Sequence, residues 1–458
     1  MAYSQRKNLE AIILERVNAM SQRTVVTVLV LLVGSVPVAA IGQAQQLAPG
    51  MGPGNLKIGQ LEVHGELSQQ VTFDDNIFIE HEDETSDVIF VTTPTVNFML
   101  PGERLNGNVY YSVGLRAFAD NDQENSQNHT LSAAMAYRTP RGNFIRIQDT
   151  YLDTTDLSTS EEQSNIAPRT EWHSNQVRTT LGLPELPTLE RIDLELGHFY
   201  ETRYFERVEN STEDYDRNQV SVRWYYDVSP FLPKTRFLVE YIFGMIEYDK
   251  GELVRRDADY HIVRTGVSIE PTAKLSGMAT AGAEFRSWDY PPAGRTETED
   301  MTLFNVRTDL HYRYGIEEAV GEVGSINLTV LREIRESAFR FLERIEPVVE
   351  VTRVEVGVQH RFNLPAGNIT LPLTLLGNFF YEFEEFPGIV TDPATGITAE
   401  REDDFMGGAV RVRLDGRIPN ANLNYFASLG YEVHDRDSNF NLKDYTANRV
   451  SLLFGVNF

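Results

Sequence analysis

The chain has 458 residues, 41% of them apolar and 10% aromatic, and it holds no cysteine. That composition describes a folded chain and rules out a disulfide-stapled one. Its formal net charge of −26 argues against nucleic acid as a partner, because phosphate binding needs clustered Lys and Arg.

At the N-terminus Arg16 and Arg23 precede an apolar stretch from Thr24 to Ala40, and small residues follow at Gly42 and Ala44. This is the order of a secretory signal peptide covering residues 1–44, with cleavage expected after Ala44. Pro37 and the modest length of the stretch speak against a membrane anchor, since a spanning helix wants ~20 apolar residues. The segment before Arg23 is long for a signal and carries Glu10 and Glu15, whereas a start at Met20 would give an ordinary one. Gln45 to Lys57 then forms a short periplasmic tail, which leaves residues 58–458 for the folded unit.

Beyond the signal no apolar run is long enough for a membrane helix, and the pattern changes to a period of two. Leu61, Val63, Gly65, Leu67, Val71 and Phe73 share one face, with Glu62, His64, Glu66, Ser68, Gln70 and Thr72 on the other. The alternation returns at Val109-Tyr111-Val113-Leu115, Ile192-Leu194-Leu196, Val220-Val222-Trp224-Tyr226, Phe237-Val239-Tyr241-Phe243, Val354-Val356-Val358 and Leu423-Tyr425-Leu429-Tyr431. It ends on Val450, Leu452, Phe454, Val456 and Phe458. A strand needs this pattern when one face meets lipid and the other water. Counting such segments gives about 18 strands, an even number that returns both termini to the periplasm.

The connections alternate in length. Short ones are expected at Pro101 to Glu103, Thr139 to Gly142, Pro271 to Ala273 and Asn363 to Ala366. Long ones are expected at Asp74 to Asp87, Leu152 to Thr170, Ser287 to Asp300, Glu333 to Glu346 and Glu384 to Asp404. This is the asymmetry of periplasmic turns against extracellular loops. A soluble β-sandwich also alternates, but its strands are usually shorter than the ~10 residues a tilted membrane strand requires. The expected fold is therefore all-β, a transmembrane antiparallel up-and-down β-barrel in the outer membrane of a Gram-negative bacterium. Aromatics on the apolar face near strand ends, such as Phe73, Tyr111, Tyr137, Tyr151, Trp224, Tyr226, Tyr312 and Tyr381, read as girdles at the membrane interfaces.

The phase of the apolar residues sends Arg116, Arg146, Arg178, Arg191, Arg203, Arg217, Arg223, Arg236, Arg264, Arg286, Arg307, Arg313, Arg353, Arg361, Arg411, Arg413 and Arg449 inward. Asp193, Glu195, Glu240, Glu270, Glu284, Asp309, Glu355 and Glu382 share that face. Two readings stay open: these charges pair into a network that stiffens a water-filled pore, or surplus guanidinium makes a positive path for an anionic solute. Tyr110, Phe118, Tyr225, Phe380 and Phe426 point inward too and are candidate stacking surfaces for sugar rings. The block Asp74-Asp75-Asn76 lacks the further ligands and glycine of a calcium loop and reads as a strand-top turn. Neither G-x-S-x-G nor H-E-x-x-H occurs, so no catalytic residue, metal site or cofactor is expected.

The last strand, ending on Phe458, resembles the terminal segment that outer-membrane barrels present to the barrel assembly machinery, which marks Phe458 as the assembly signal. Phe73-Asp74-Asp75-Asn76-Ile77, the acidic loop with Glu80, Glu82, Asp83 and Glu84, and Ser86-Asp87 opening the next strand resemble the second β-barrel porin family. Members of that family include outer-membrane components of exopolysaccharide synthesis and export systems. The similarity is strongest from Val71 to about Tyr111 and transfers no catalytic residue. It implies a passive, non-enzymatic conduit for a secreted exopolysaccharide, anionic if the arginine surplus stands. The implied partners are outer-membrane lipid and lipopolysaccharide, the assembly machinery, and periplasmic and inner-membrane components of polysaccharide synthesis. Some polysaccharide-export porins carry a periplasmic helical-repeat domain, for which the tail Gln45 to Lys57 leaves no space. The competing expectations are a general or nutrient-uptake porin and a structural or adhesive barrel.

Overall fold

The computed structural model describes residues 56–155, 171–184, 191–205, 214–248, 257–288, 300–315, 323–336, 340–341, 344–345, 348–366, 369–391, 398–418, 423–440 and 444–458. The expected signal peptide lies outside them. The strands are β1 (Leu56–Ile58), β2 (Leu61–Asp74), β3 (Asp87–Leu100), β4 (Leu105–Phe118), β5 (Ser126–Arg138), β6 (Phe144–Thr154), β7 (Trp172–Leu183), β8 (Ile192–Phe205), β9 (Tyr215–Asp227), β10 (Thr235–Tyr248), β11 (Ala258–Ile269), β12 (Leu275–Trp288), β13 (Met301–Tyr314), β14 (Gly324–Glu336), β15 (Arg340–Phe341), β16 (Arg344–Ile345), β17 (Val348–Ala366), β18 (Ile369–Thr391), β19 (Thr398–Ile418), β20 (Leu423–Ser438) and β21 (Tyr445–Asn457). One 3-10 turn, Asp122–Glu124, is the only helical element among the described residues.

Each long strand pairs antiparallel with its neighbour in sequence, and β2 also pairs with β21, so the sheet closes into a barrel of 18 strands. β1 adds a short pairing to β2, and β15 with β16 forms a separate two-residue hairpin. Closure removes every free edge, which a sheet standing in lipid requires because hydrocarbon offers its backbone no hydrogen bonds. The first and last strands meet with Glu66 opposite Asn457 and Asp74 opposite Arg449. Phe458 donates its backbone N–H to the Gly65 carbonyl at 3.0 Å, and its ring covers Gly65 so closely that a Cβ there would lie 2.3 Å from the ring. Glycine at 65 is thus what lets the terminal aromatic seat across the seam.

Leu56 and Phe458 stand at the same end of the barrel, together with the short turns 101–104, 139–143 and 270–274. Longer connections, including 75–86, occupy the other end. Leu67, Phe73, Phe98, Leu196, Trp224, Phe304, Val410, Leu429 and Phe454 are exposed on the outer face, and polar residues such as Ser68, Thr72, Arg146, Glu240, Thr280 and Arg413 are buried on the inner one. This is the alternation read from the sequence.

Three expected connections fall elsewhere. Asn363 to Ala366 belong to β17 and pair with residues of β18 from Ile369 to Pro372. Pro365 suggested a break, but a proline at a strand end loses no needed ladder bond. Much of Glu384 to Asp404 is strand, since β18 continues to Thr391 and β19 begins at Thr398. Glu333 to Glu346 divides between the end of β14 and the β15–β16 hairpin. Where strands project past the apolar belt both faces meet water, so the alternation fades and acidic strand reads as loop.

Candidate functional site

The connection after β2 folds into the barrel. Ile77 packs with Ile89 and Phe118, while Ile79 packs with Phe380, Phe405, Tyr445 and Ala447. Asn76, with none of its surface exposed, holds the bend: its Nδ2 donates to the Glu80 carbonyl at 2.8 Å and to the Thr446 carbonyl at 3.1 Å. Its Oδ1 accepts the Glu80 N–H at 2.8 Å. Asp75 clasps Asn448, accepting from its backbone N–H at 2.6 Å and from its Nδ2 at 2.8 Å, and Asp74 accepts from Arg449 Nε at 2.7 Å. The Asp74-Asp75-Asn76 block therefore ties this inward loop to the seam strand β21. Ile79 sits at a φ of +56°, a conformation costly for a β-branched residue and sustained by its packing.

Charged residues line the inner face in register. Glu195, Arg223, Glu240 and Arg264 stand opposite one another in turn across β8 to β11. Arg223 lies 3.7 Å from Glu195 and 2.5 Å from Glu240, and Arg264 lies 3.0 Å from Glu240. Arg236 pairs with Asp193 at 3.3 Å, Arg307 with Asp309 at 3.0 Å, Arg353 with Glu355 at 2.9 Å and Arg413 with Asp415 at 2.8 Å. Towards the loop end Arg401 and Arg436 converge on the buried Asp403, and Arg436 also meets Glu384. Most lumen arginines thus have an acidic partner, several of these partners among acids not counted as inward from the sequence, including Asp74, Glu201, Glu384, Asp403, Asp415 and Glu432. A guanidinium and an acid two positions apart on one strand, as in Arg413-x-Asp415, was the available signal.

A cavity of about 3490 Å³ occupies the interior toward the terminus end and climbs beside β11 to β14 as far as Tyr260, Arg286 and Ile334. Of the expected pore-lining residues, Arg178, Arg191, Arg223, Arg264, Arg307, Arg313, Arg411 and Arg413 border it. Arg191 does so from the turn before β8, with a φ of +72°. Arg116, Arg146 and Arg353 do not border it. Arg146 is buried against the Phe144 ring at 4.2 Å, and Arg353 lies over the Phe380 ring at 4.0 Å. Among the described residues Arg313, Arg361 and Arg411 border the cavity with no carboxylate at ion-pair distance.

Of the candidate stacking rings, Tyr225 borders the cavity. Phe118, Tyr225, Phe380 and Phe426 are buried, at 4%, 8%, 6% and 3% exposed. Guanidinium groups cover the last three: Arg236 lies 4.6 Å from the Tyr225 ring, Arg353 covers Phe380, and Arg413 lies 4.3 Å from Phe426. These rings form part of the wall, packed beneath the long charged side chains that cover them. Tyr110 lies in β4 and does not border the cavity.

A closed barrel with an apolar belt outside and a charged, water-accessible cavity inside is a porin-type channel. The chain matches the profile of the family described as Putative beta-barrel porin 2 over residues 48–458 and belongs to that family. It is a porin-like outer-membrane barrel, and family and fold are those of non-enzymatic channels. Solved structures with a similar shape include a BenF-like porin from Pseudomonas fluorescens Pf-5, with 9% identity, a TM-score of 0.44, and coverage of 88% of this chain and 100% of that one. OpdK of Pseudomonas aeruginosa with vanillate has 10% identity and a TM-score of 0.41, covering 86% and 99%. OccAB3 of Acinetobacter baumannii has 10% identity and a TM-score of 0.41, covering 88% and 100%. A search of curated protein sequences finds no match.

Proposed function

We propose that this barrel is a passive outer-membrane conduit for a secreted exopolysaccharide, with the terminus end facing the periplasm. The observation that carries the reading is an asymmetry of free charge along the pore. Arg313, Arg361 and Arg411 border the cavity toward the terminus end without acidic partners. The loop end presents Glu82, Asp83 and Glu84 instead, exposed on the connection after β2. Such a field draws a negative chain in from the periplasm and opposes its return from outside. Nothing in the lumen supplies energy, so elongation at the inner membrane would have to push the polymer through.

A second reading, a nutrient-uptake porin, is favoured by the acidic loop end, which would concentrate cationic solutes outside the cell. Deleting the gene separates the two. Loss of surface polysaccharide with accumulation in the periplasm supports the conduit; unchanged surface polysaccharide with a growth defect on one limiting solute supports uptake.

A further inference from the structure

We propose that the wall from β13 to β19, toward the terminus end, binds acidic oligosaccharide, a sugar chain bearing uronate carboxylates. The inference rests on the conduit reading and names its cargo.

Across β8 to β11 arginine is matched by acid, but here the acids stop. Residues 325–329 of β14, 357–363 of β17 and 372–378 of β18 contain no Asp or Glu. Arg313 and Arg411 flank this stretch on a continuous register row that runs from Arg313 through Ser325, Gln359 and Leu376 to Arg411. Four strand spacings separate them, about 19 Å along the wall at the usual inter-strand distance, a reach suited to several sugar rings rather than one small anion. Arg361 stands between them, two positions nearer the terminus end than Gln359.

The amides interleaved with these cations complete the panel. Gln359, Asn363 and Asn378 border the same cavity, and their side chains have no partner among the described residues. An amide offers a donor and an acceptor together, which suits sugar hydroxyls, while the planar guanidinium fork suits a carboxylate. A pore for simple anions would have no use for free amides, and a neutral glycan would have none for free guanidinium groups.

The full-length barrel in a planar bilayer tests this, with current block read for oligogalacturonate, a neutral maltooligosaccharide of matched length and benzoate, each added at the terminus side. Oligogalacturonate should block at concentrations at least about tenfold lower than the neutral chain, since charge-assisted hydrogen bonds are roughly twice as strong as neutral ones. The combined variant R313Q/R361Q/R411Q should abolish that preference, and the Arg→Lys triple, which keeps charge and fold, should retain part of it. The triple Q359A/N363A/N378A should weaken block by both oligosaccharides. Equal block by charged and neutral chains in wild type, or an unchanged preference in the Gln triple, overturns the acidic assignment and leaves the conduit reading standing. Benzoate blocking as well as oligogalacturonate overturns both.

Discussion

Arg223 and Glu240 stand directly opposite each other on β9 and β10, with Nε 2.5 Å from Oε1, and Arg264 reaches the second oxygen of the same carboxylate at 3.0 Å. One acid thus bridges two guanidinium groups, and together with Glu195 beside Arg223 it offsets charge that would otherwise add to the positive field of the cavity. Glu240 is only 3% exposed, so its removal leaves the two cations facing each other in a confined space. For Glu240→Gln we expect a loss of about 1–3 kcal/mol, reduced from the cost of a fully buried pair because lumen water screens Arg223. Urea titration of the folded barrel checks the stability, and a shift of reversal potential toward anions checks the charge.

Closure depends on the contact between Phe458 and Gly65. Gly65→Val places branches where the Phe458 ring lies, an overpacking worth about 1–3 kcal/mol, and should lower the yield of heat-modifiable, membrane-integrated barrel. Deleting Phe458 should lower it further and leave misfolded chain in the periplasm. Wild-type yields from both variants would remove the terminal aromatic from any role in assembly or closure.

The inward loop fills lumen space between β3–β4 and β18–β21 through Ile77 and Ile79. Deleting residues 77–84 and joining the ends should raise single-channel conductance while the barrel stays folded. Asp75→Ala, which removes both acceptors for Asn448, should give more frequent conductance steps without changing the largest open level. Unchanged conductance in the deletion would show that the loop does not limit flow.

Sidedness has its own test. A tag inserted between Asp392 and Gly396, residues outside the described set that join the end of β18 to the start of β19, should be reachable on intact cells. A tag at Pro101-Gly102, in the turn between β3 and β4, should not. The reverse pattern would invert the assignment of the two ends.

The barrel was legible because lipid and lumen impose opposite demands on successive residues, so Leu67 or Phe454 outward and Ser68 or Arg449 inward follow from phase alone. The partner of each charge was not legible. Arg223 meets Glu240 through strand register, which local alternation does not specify, so counting arginines against acids overstated the free positive charge. Arg223 and Arg307 looked as free as Arg411, yet the first two have acids within 3.0 Å. The burial of Phe380 was hidden for a related reason. Its neighbours Phe405 and Tyr445 come from β19 and β21, and Ile79 comes from the loop after β2, which closure of β2 against β21 brings beside them.

The central claim is that unpaired guanidinium groups toward the terminus end make the pore select anions, and reversal potential across a planar bilayer under a salt gradient tests it most directly. The loop-shortened barrel is measured beside wild type, so that carboxylates at the loop end do not mask the lumen. The account predicts anion preference in the loop-shortened barrel and its inversion by R313E/R361E/R411E. Cation preference in the loop-shortened barrel, or no change on reversing those three charges, would contradict it.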